Sequence, residues 1–554
     1  MKTNILKLVT SAITVSLPLV AFSKTDNRPN ILIILADDLG YSDLGCYGGE
    51  IHTPNLDRLA ENGLRFTRFY NAGRSCPTRA SLLTGLYPHQ AGIGRMTFDE
   101  HQPGYRGTMT HNAVTIAEVL KKSGYQTGMI GKWHVAETPL RPDQREWLAH
   151  RVYHEEFAPK NNYPVNRGFD DFYGTIYGVI NFFDPFSLVN GDKPVSTVPD
   201  NYYATIAMAD SAVSYVNRYA GSEAPFFLYL SFHAPHWPLH ALPVDIKKYE
   251  EVYKVGWEKI REKRYEKMRE LKIFDAEDNF LSPRQFSDQW SENPHTEWDA
   301  RAMAVHAAMV DRMDKEIGKV LRALEETGQL DNTLIVFLSD NGASNEDCQN
   351  YSPGENDRPD MMRNGEPIIY PRDKETLPGA QNTFASIGAR WANVANAPFR
   401  FWKAKSYEGG ICTPFIAHWP QGIKTETGTT NNNIGHVIDL MATCLDVSQS
   451  DYPKIYNDNT IIPLEGKSLL PVFEKGSREG HNAVYFEHFN EKAMIDSSGW
   501  KIVMPGQNVP WELYNLNADR SELNNLAELY PQKVKEMEKR YLEWEKRSLV
   551  EPRP

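Results

Sequence analysis

The sequence predicts an α/β protein: a large doubly wound domain whose central, mostly parallel sheet is flanked by helices, then a small C-terminal domain with an antiparallel sheet and one helix. Three patterns carry this. Runs of Ile, Leu, Val and Phe that are continuous rather than alternating recur at 30–36, 127–130, 225–232 and 333–338, which is how strands buried on both faces read. Helical patterns lie between them, as at 55–62, 115–123 and 298–327, giving the alternation of a doubly wound sheet. From about Tyr456 the pattern changes to short alternating segments at 483–489, 492–496 and 501–504, followed by a charged helix from Pro531 to Arg547. The large domain is therefore assigned to 24–455 and the small one to 456–554.

Ahead of both, residues 1–23 read as an export signal: Lys2 and Lys7 precede an apolar stretch from Leu8 to Phe22, which ends in Ala21-Phe22-Ser23. Thr10, Ser11, Thr14, Ser16 and Pro18 interrupt that stretch, which is short of the roughly 20 apolar residues of a span, so no stable membrane insertion is expected. The five cysteines are odd in number and scattered, so no disulfide framework supports the fold and no Cys/His spacing suggests zinc. Formal charge is −12, and −14 without the two lysines of the signal, which argues against nucleic acid as a partner. An anionic ligand then requires cations gathered in one pocket.

The charged stretch 244–272 reads as a solvated insertion helix, with a lid over the cleft as the alternative. Residues 342–398, rich in Asn, Gly, Pro and Asp, read as a long loop that would set specificity. Each buried run ends in polar chemistry: Asp37-Asp38, then Gly131-Lys132-Trp133-His134, then His233-Ala234-Pro235-His236, then Ser339-Asp340-Asn341-Gly342. Ligands of open α/β sheets sit beyond the carboxyl ends of the strands, so these clusters should converge. An isolated Asp-Asp pair reads as a helix cap or turn. Joined to Asp340 and Asn341 it offers only oxygen ligands, which select a hard cation, Ca2+ before Mg2+.

Residues 72–85 read as a loop running into a helix, with Pro77 near its start. A thiol site at Cys76 would need an arginine six residues on, where Leu82 stands. The run Ser75-Cys76-Pro77-Thr78-Arg79, continued by Leu82-Leu83-Thr84-Gly85, resembles the signature of the type I, formylglycine-dependent sulfatases of the alkaline-phosphatase superfamily, with Ser75 in the signature position. Tyr407-Glu408-Gly409-Gly410 and Trp511-Glu512-Leu513-Tyr514-Asn515-Leu516 extend the likeness along the chain, and Ala234-Pro235-His236-Trp237-Pro238-Leu239 is most similar to the bacterial arylsulfatase-like branch.

The resemblance implies a sulfuric ester hydrolase whose Ser75 is oxidised to formylglycine (3-oxoalanine) by a radical-type sulfatase-maturing enzyme. The hydrate would offer one hydroxyl to attack sulfur and a second to expel sulfate. It implies Asp37, Asp38, Asp340, Asn341 and the modified Ser75 as metal ligands, Arg79 as the residue holding the hydrate, and His134 and His236 as base and acid. Lys132 and Lys403 would bind sulfate, Lys403 rather than Lys405 because it lies four residues before Tyr407; His233 is expected to be structural. Arg74, Glu346 and Trp511 are candidates for contacting a sugar. The expected substrate is a sulfated glycan, a sulfated galactose or related sugar of host glycans attacked in exo fashion, and the expected location periplasmic. A phosphonate or phosphate monoester hydrolase of the same superfamily and an inactive sulfated-glycan binder are the alternatives.

Overall fold

The computed structural model describes residues 27–151, 156–274, 281–354 and 358–551, so the export signal expected at 1–23 lies outside the described residues. A ten-stranded sheet forms the centre. Its strands, in chain order, are β1 (Asn30–Ala36), β2 (Leu64–Phe66), β3 (Gln126–Lys132), β4 (Asp171–Thr175), β5 (Leu188–Asn190), β6 (Lys193–Pro194), β7 (Phe226–Ser231), β8 (Thr333–Ser339), β9 (Phe415–His418) and β10 (Thr429–Asn431). Across the sheet the order is β10-β2-β9-β8-β1-β7-β3-β4-β5-β6. The neighbours from β8 to β4 are parallel, while β9 runs antiparallel to both β8 and β2.

The four continuous apolar runs are β1, β3, β7 and β8, adjacent strands of the parallel centre. Ile34 stands between Leu230 and Phe337 in register. Alternate residues of β1 feed opposite layers: Ile31, Ile33 and Leu35 face one, Leu32, Ile34 and Ala36 the other. Helices α1 (Pro54–Glu61), α4 (Ala204–Tyr219) and α6 (Thr296–Glu326) cover the second layer; α2 (Ser75–Thr84), α3 (Ile116–Lys122) and α8 (Asp439–Ser448) cover the first. With both faces covered, none of these side chains reaches water, and truncating one to alanine costs about 2–5 kcal/mol.

Two expectations hold only in part. The helix expected in 244–272 forms as α5 (Trp257–Glu270) with Lys259, Glu262, Lys263 and Glu266 exposed, but its other face buries Trp257, Ile260 and Met268, and beside them Arg264, which donates to Asp43 at 2.7 Å and Glu50 at 2.8 Å. A charge-rich sequence conceals this, because a buried arginine counts as solvated until its carboxylate partners, distant in sequence, are known. Within 342–398 the chain forms α7 (Gly388–Ala395), whose Trp391 is buried and donates to the Asp299 carbonyl at 2.8 Å.

The small C-terminal sheet is antiparallel, β11 (Ala483–His488), β12 (Glu491–Asp496), β13 (Trp500–Met504) and β14 (Glu512–Asn515), and α9 (Pro531–Arg547) packs Met537, Tyr541 and Trp544 against it. Between position 456 and this sheet, Leu469, Val472 and Phe473 still pack in the core of the large unit. All five cysteines are free and buried. No helix among the described residues is long and apolar enough to cross a membrane.

Candidate active site

The carboxyl ends of β1 and β8 are clasped together: Asp340 N–H donates to the Ala36 carbonyl at 3.1 Å, and Asp38 N–H to Asp340 Oδ1 at 3.2 Å. Asp38 takes a left-handed backbone, φ 64°, which turns the chain sharply at the strand tip. Asp37, Asp340 and Asn341 are fully buried there and Asp38 almost so.

Ser75 is the first residue of α2, after an extended Arg74. Its Oγ donates to Asp340 Oδ2 at 2.6 Å, lies 3.4 Å from Asp37 Oδ1 and accepts from Arg79 Nε at 3.0 Å. Arg79 can do this because it stands one helical turn further, on the same face. Its Nη2 donates to Asp340 at 2.8 Å, and its Nη1 to the Lys132 carbonyl at 3.0 Å and to Ser231 Oγ. Cys76, one residue on, points elsewhere: its Sγ is 3.2 Å from His134 Nε2. The helix thus gives Ser75 the carboxylates and Cys76 the imidazole.

Lys132 is buried against Asp37. Lys403 donates to Asp38 at 3.0 Å and Glu346 at 2.9 Å, with His236 Nε2 at 3.4 Å. Lys405 instead pairs with Glu491 of β12. Glu346 also accepts from Arg74 at 3.3 Å and from Trp237 Nε1 at 3.0 Å. His233 is bound to Thr175 Oγ1 at 2.7 Å, in the interior.

Burial and the neighbouring Asp340 push the Asp37 carboxyl well above its ordinary range. Burial alone would raise Asp340 too, but Arg79 and Lys132 outweigh it and hold that carboxyl low. Burial, then Lys132 and Arg79, keep His134 well below its ordinary value, and burial brings His236 down to about 3. The donor set fits a hard cation. Asn341 gives its Nδ2 to Asp38 at 2.6 Å, while its buried Oδ1 accepts no hydrogen bond. That orphaned oxygen stands among carboxylates, where a cation would satisfy it. Asp37, Asp38 and His236 offer ligand atoms within 4.8 Å of one another, a grouping with an imidazole that the sequence reading did not include.

Above the cluster opens a cavity of about 230 Å³. Arg74, Ser75, His134, His236, Glu346 and Lys403 line it, so six of the sequence-derived residues converge on one space. Trp511 does not join them. It is 8% exposed, packed on Tyr541 in the C-terminal core, and donates to Glu538 at 3.0 Å, so it offers no face to a sugar. The aromatic walls are Phe98, Tyr177 and Trp237, and a further lining cation is Arg358; sequence reasoning missed all four. Trp237 was within reach, one residue after His236; Phe98 and Arg358 stand in stretches without any motif.

A family description named Sulfatase matches residues 29–450, and another, N-sulphoglucosamine sulphohydrolase, C-terminal, matches 399–547. An uncharacterized sulfatase of Schizosaccharomyces pombe is 31% identical over 561 residues, spanning 95% of each chain. An arylsulfatase of Klebsiella aerogenes is 32% identical over 473 residues, 84% of this chain and 96% of its own. The crystal structure of Ps i-CgsB in complex with k-i-k-neocarrahexaose shares the fold, with a TM-score of 0.64 at 24% identity over 93% of this chain and 92% of that one.

Proposed function

The chain belongs to the sulfatase family, hydrolases of sulfate esters, and from that premise we propose that it removes sulfate from a sulfated carbohydrate, one terminal sugar at a time, through a formylglycine hydrate made from Ser75. The observation that carries the reading is Ser75 Oγ on the cavity floor, between the Asp340 carboxylate and Arg79. Formylglycine as its hydrate would supply two hydroxyls on one carbon, one to attack sulfur and one to release sulfate. A divalent cation, Ca2+ before Mg2+, would lower the pKa of the attacking hydroxyl and offset charge on the sulfate oxygens.

Asp37, Asp38, Asp340 and Asn341 would hold that cation, and Arg79 would orient the residue at 75. Lys132 and Lys403 would bind the sulfate oxygens, where fixed cations in a buried site stabilise the transition state most. His134, kept neutral by burial and by Lys132 and Arg79, would take a proton once bound sulfate offsets those cations, and His236 would protonate the leaving alcohol. An anion beside His236 raises its affinity for that proton, and bound sulfate is such an anion. The cavity is small beside the roughly 300–1,000 Å³ typical of drug-sized ligands, which favours a single sugar ring and hence exo action. Arg74 and Glu346 would meet its hydroxyls. A sulfated galactose or related sugar of host glycans is the proposed substrate, and the periplasm, reached through the export signal, the proposed location.

The test is co-expression with a radical maturase, mass spectrometry of the peptide spanning Ser75, and sulfate release from defined sulfated mono- and disaccharides. A Ser75 peptide lacking two hydrogens and turnover of a sulfated sugar are expected. Cleavage of aryl sulfates alone would sink the carbohydrate assignment, and faster turnover of an aryl phosphate than an aryl sulfate would replace it with the phosphoester reading. An unoxidised Ser75 with tight saccharide binding would make the protein a binder. Chelation should abolish turnover, and recovery with Ca2+ in preference to Mg2+ decides the metal.

A further inference from the structure

We propose that the cavity recognises a second anionic group on the substrate, a carboxylate or a second sulfate, through Arg358. This rests on the sulfated-sugar reading above and adds a charge requirement to it. Three cations line the cavity: Lys403, Arg74 and Arg358. The first two are committed. Lys403 is held by Asp38 and Glu346, and Arg74 by Glu346.

Arg358 differs. No described carboxylate forms an ion pair with it, and its buried Nε donates no hydrogen bond. Its guanidinium lies over the Tyr351 ring at 4.1 Å, and Tyr351 packs edge-on against Trp237 at 5.6 Å while its hydroxyl reaches Glu346 at 3.4 Å. The stack that holds Arg358 is therefore tied to the wall of the reacting end. A half-buried planar fork held over a ring, paired with no carboxylate among the described residues, matches carboxylate or sulfate better than a neutral hydroxyl. Because the sulfate to be cleaved belongs with Ser75 and Lys403, the anion at Arg358 is a different one, on the same sugar or its neighbour.

The test compares kcat/KM for three saccharides of one backbone: monosulfated and otherwise neutral, monosulfated with a uronate carboxylate, and disulfated. The matured protein should prefer one doubly anionic arm by about tenfold or more, the size of a charge-assisted contact, and the preferred arm tells carboxylate from sulfate. Arg358→Gln should bring the ratio to about one, and Arg358→Lys, a point charge without the fork, should keep part of it. Equal turnover of all three by the unaltered protein, or an unchanged ratio in Arg358→Gln, overturns the proposal. The same ratio is read as Kd on the Ser75→Ala protein. If no arm releases sulfate yet the binding ratio holds, the hydrolase reading fails and the second-anion site stands.

Discussion

Two buried ionic clusters, each of carboxylates facing lysine and arginine, meet opposite ends of the segment 403–408. One is the cluster beneath the cavity, where Asp37, Asp38 and Asp340 face Arg79, Lys132 and Lys403. In the other, Lys501 of β13 sits 3.0 Å from Glu408 and 2.7 Å from Glu522, and Arg520 sits 3.0 Å from Glu408. Both balance formally. The difference is access: the second is sealed between the large unit and the C-terminal sheet, while the first borders a cavity, and its unpartnered atom, the Asn341 oxygen, is one that a cation can satisfy. A sealed cluster can only hold two units together. An opened one can exchange its partners for a cation and an anion.

The largest expected effect sharpens this contrast. Ser75→Ala should lower sulfate release by roughly 10⁴-fold or more with little change in denaturant midpoint, since Asp340 keeps Arg79. Loss of folding instead would mean that Ser75 braces the cluster rather than serving the cavity. Next, Lys501→Met should cost about 3–5 kcal/mol, because it leaves buried carboxylates unpaired. Chemical denaturation measures it; turnover per folded molecule should persist, and its collapse would erase the distinction between the clusters.

In each cluster burial raises one carboxyl, Asp37 and Glu522, while Asp340 and Glu408, opposed by burial but held by their cations, keep theirs below the ordinary range. The stability that Asp340 and Glu408 contribute is lost only as pH falls through those low values. Buried neutral histidines respond earlier. Burial brings His240 and His436 down to about 3. The unfolded chain takes up their protons below about pH 6.5 while the folded one does not, so stability is complete above 6.5 and falls on acidification toward 3. The slope is roughly 1.4 kcal/mol per pH unit for each such histidine. Urea midpoints measured from pH 7 to 5 check this, and a flat profile contradicts it. The smallest effect is expected for Cys76→Ala, a few-fold in kcat, because its thiol touches His134 without reaching the reacting atoms. A loss as large as that of Ser75→Ala would reverse the assignment of the two neighbours.

Much of the site was legible because strand tips write short motifs: Asp37-Asp38 after β1, Lys132 and His134 around the end of β3, Asp340-Asn341 after β8. The spacing of Ser75 and Arg79 is likewise local, one turn of helix. Trp511 misled because a tryptophan for a sugar and a tryptophan for a core look identical until its neighbours are known, and α5 misled because Arg264 is solvated or buried according to Asp43 and Glu50.

The sequence by itself determined the doubly wound parallel centre, the small antiparallel unit and the residues at the strand tips, since periodicity and short-range spacing are properties of the chain. Only the tertiary structure decided which charges face one another. Pairing of Lys403 with Asp38 and of Lys501 with Glu408, and with them the choice between an open and a sealed cluster, depend on residues 365 and 93 positions apart, and no local pattern encodes a distance across the fold.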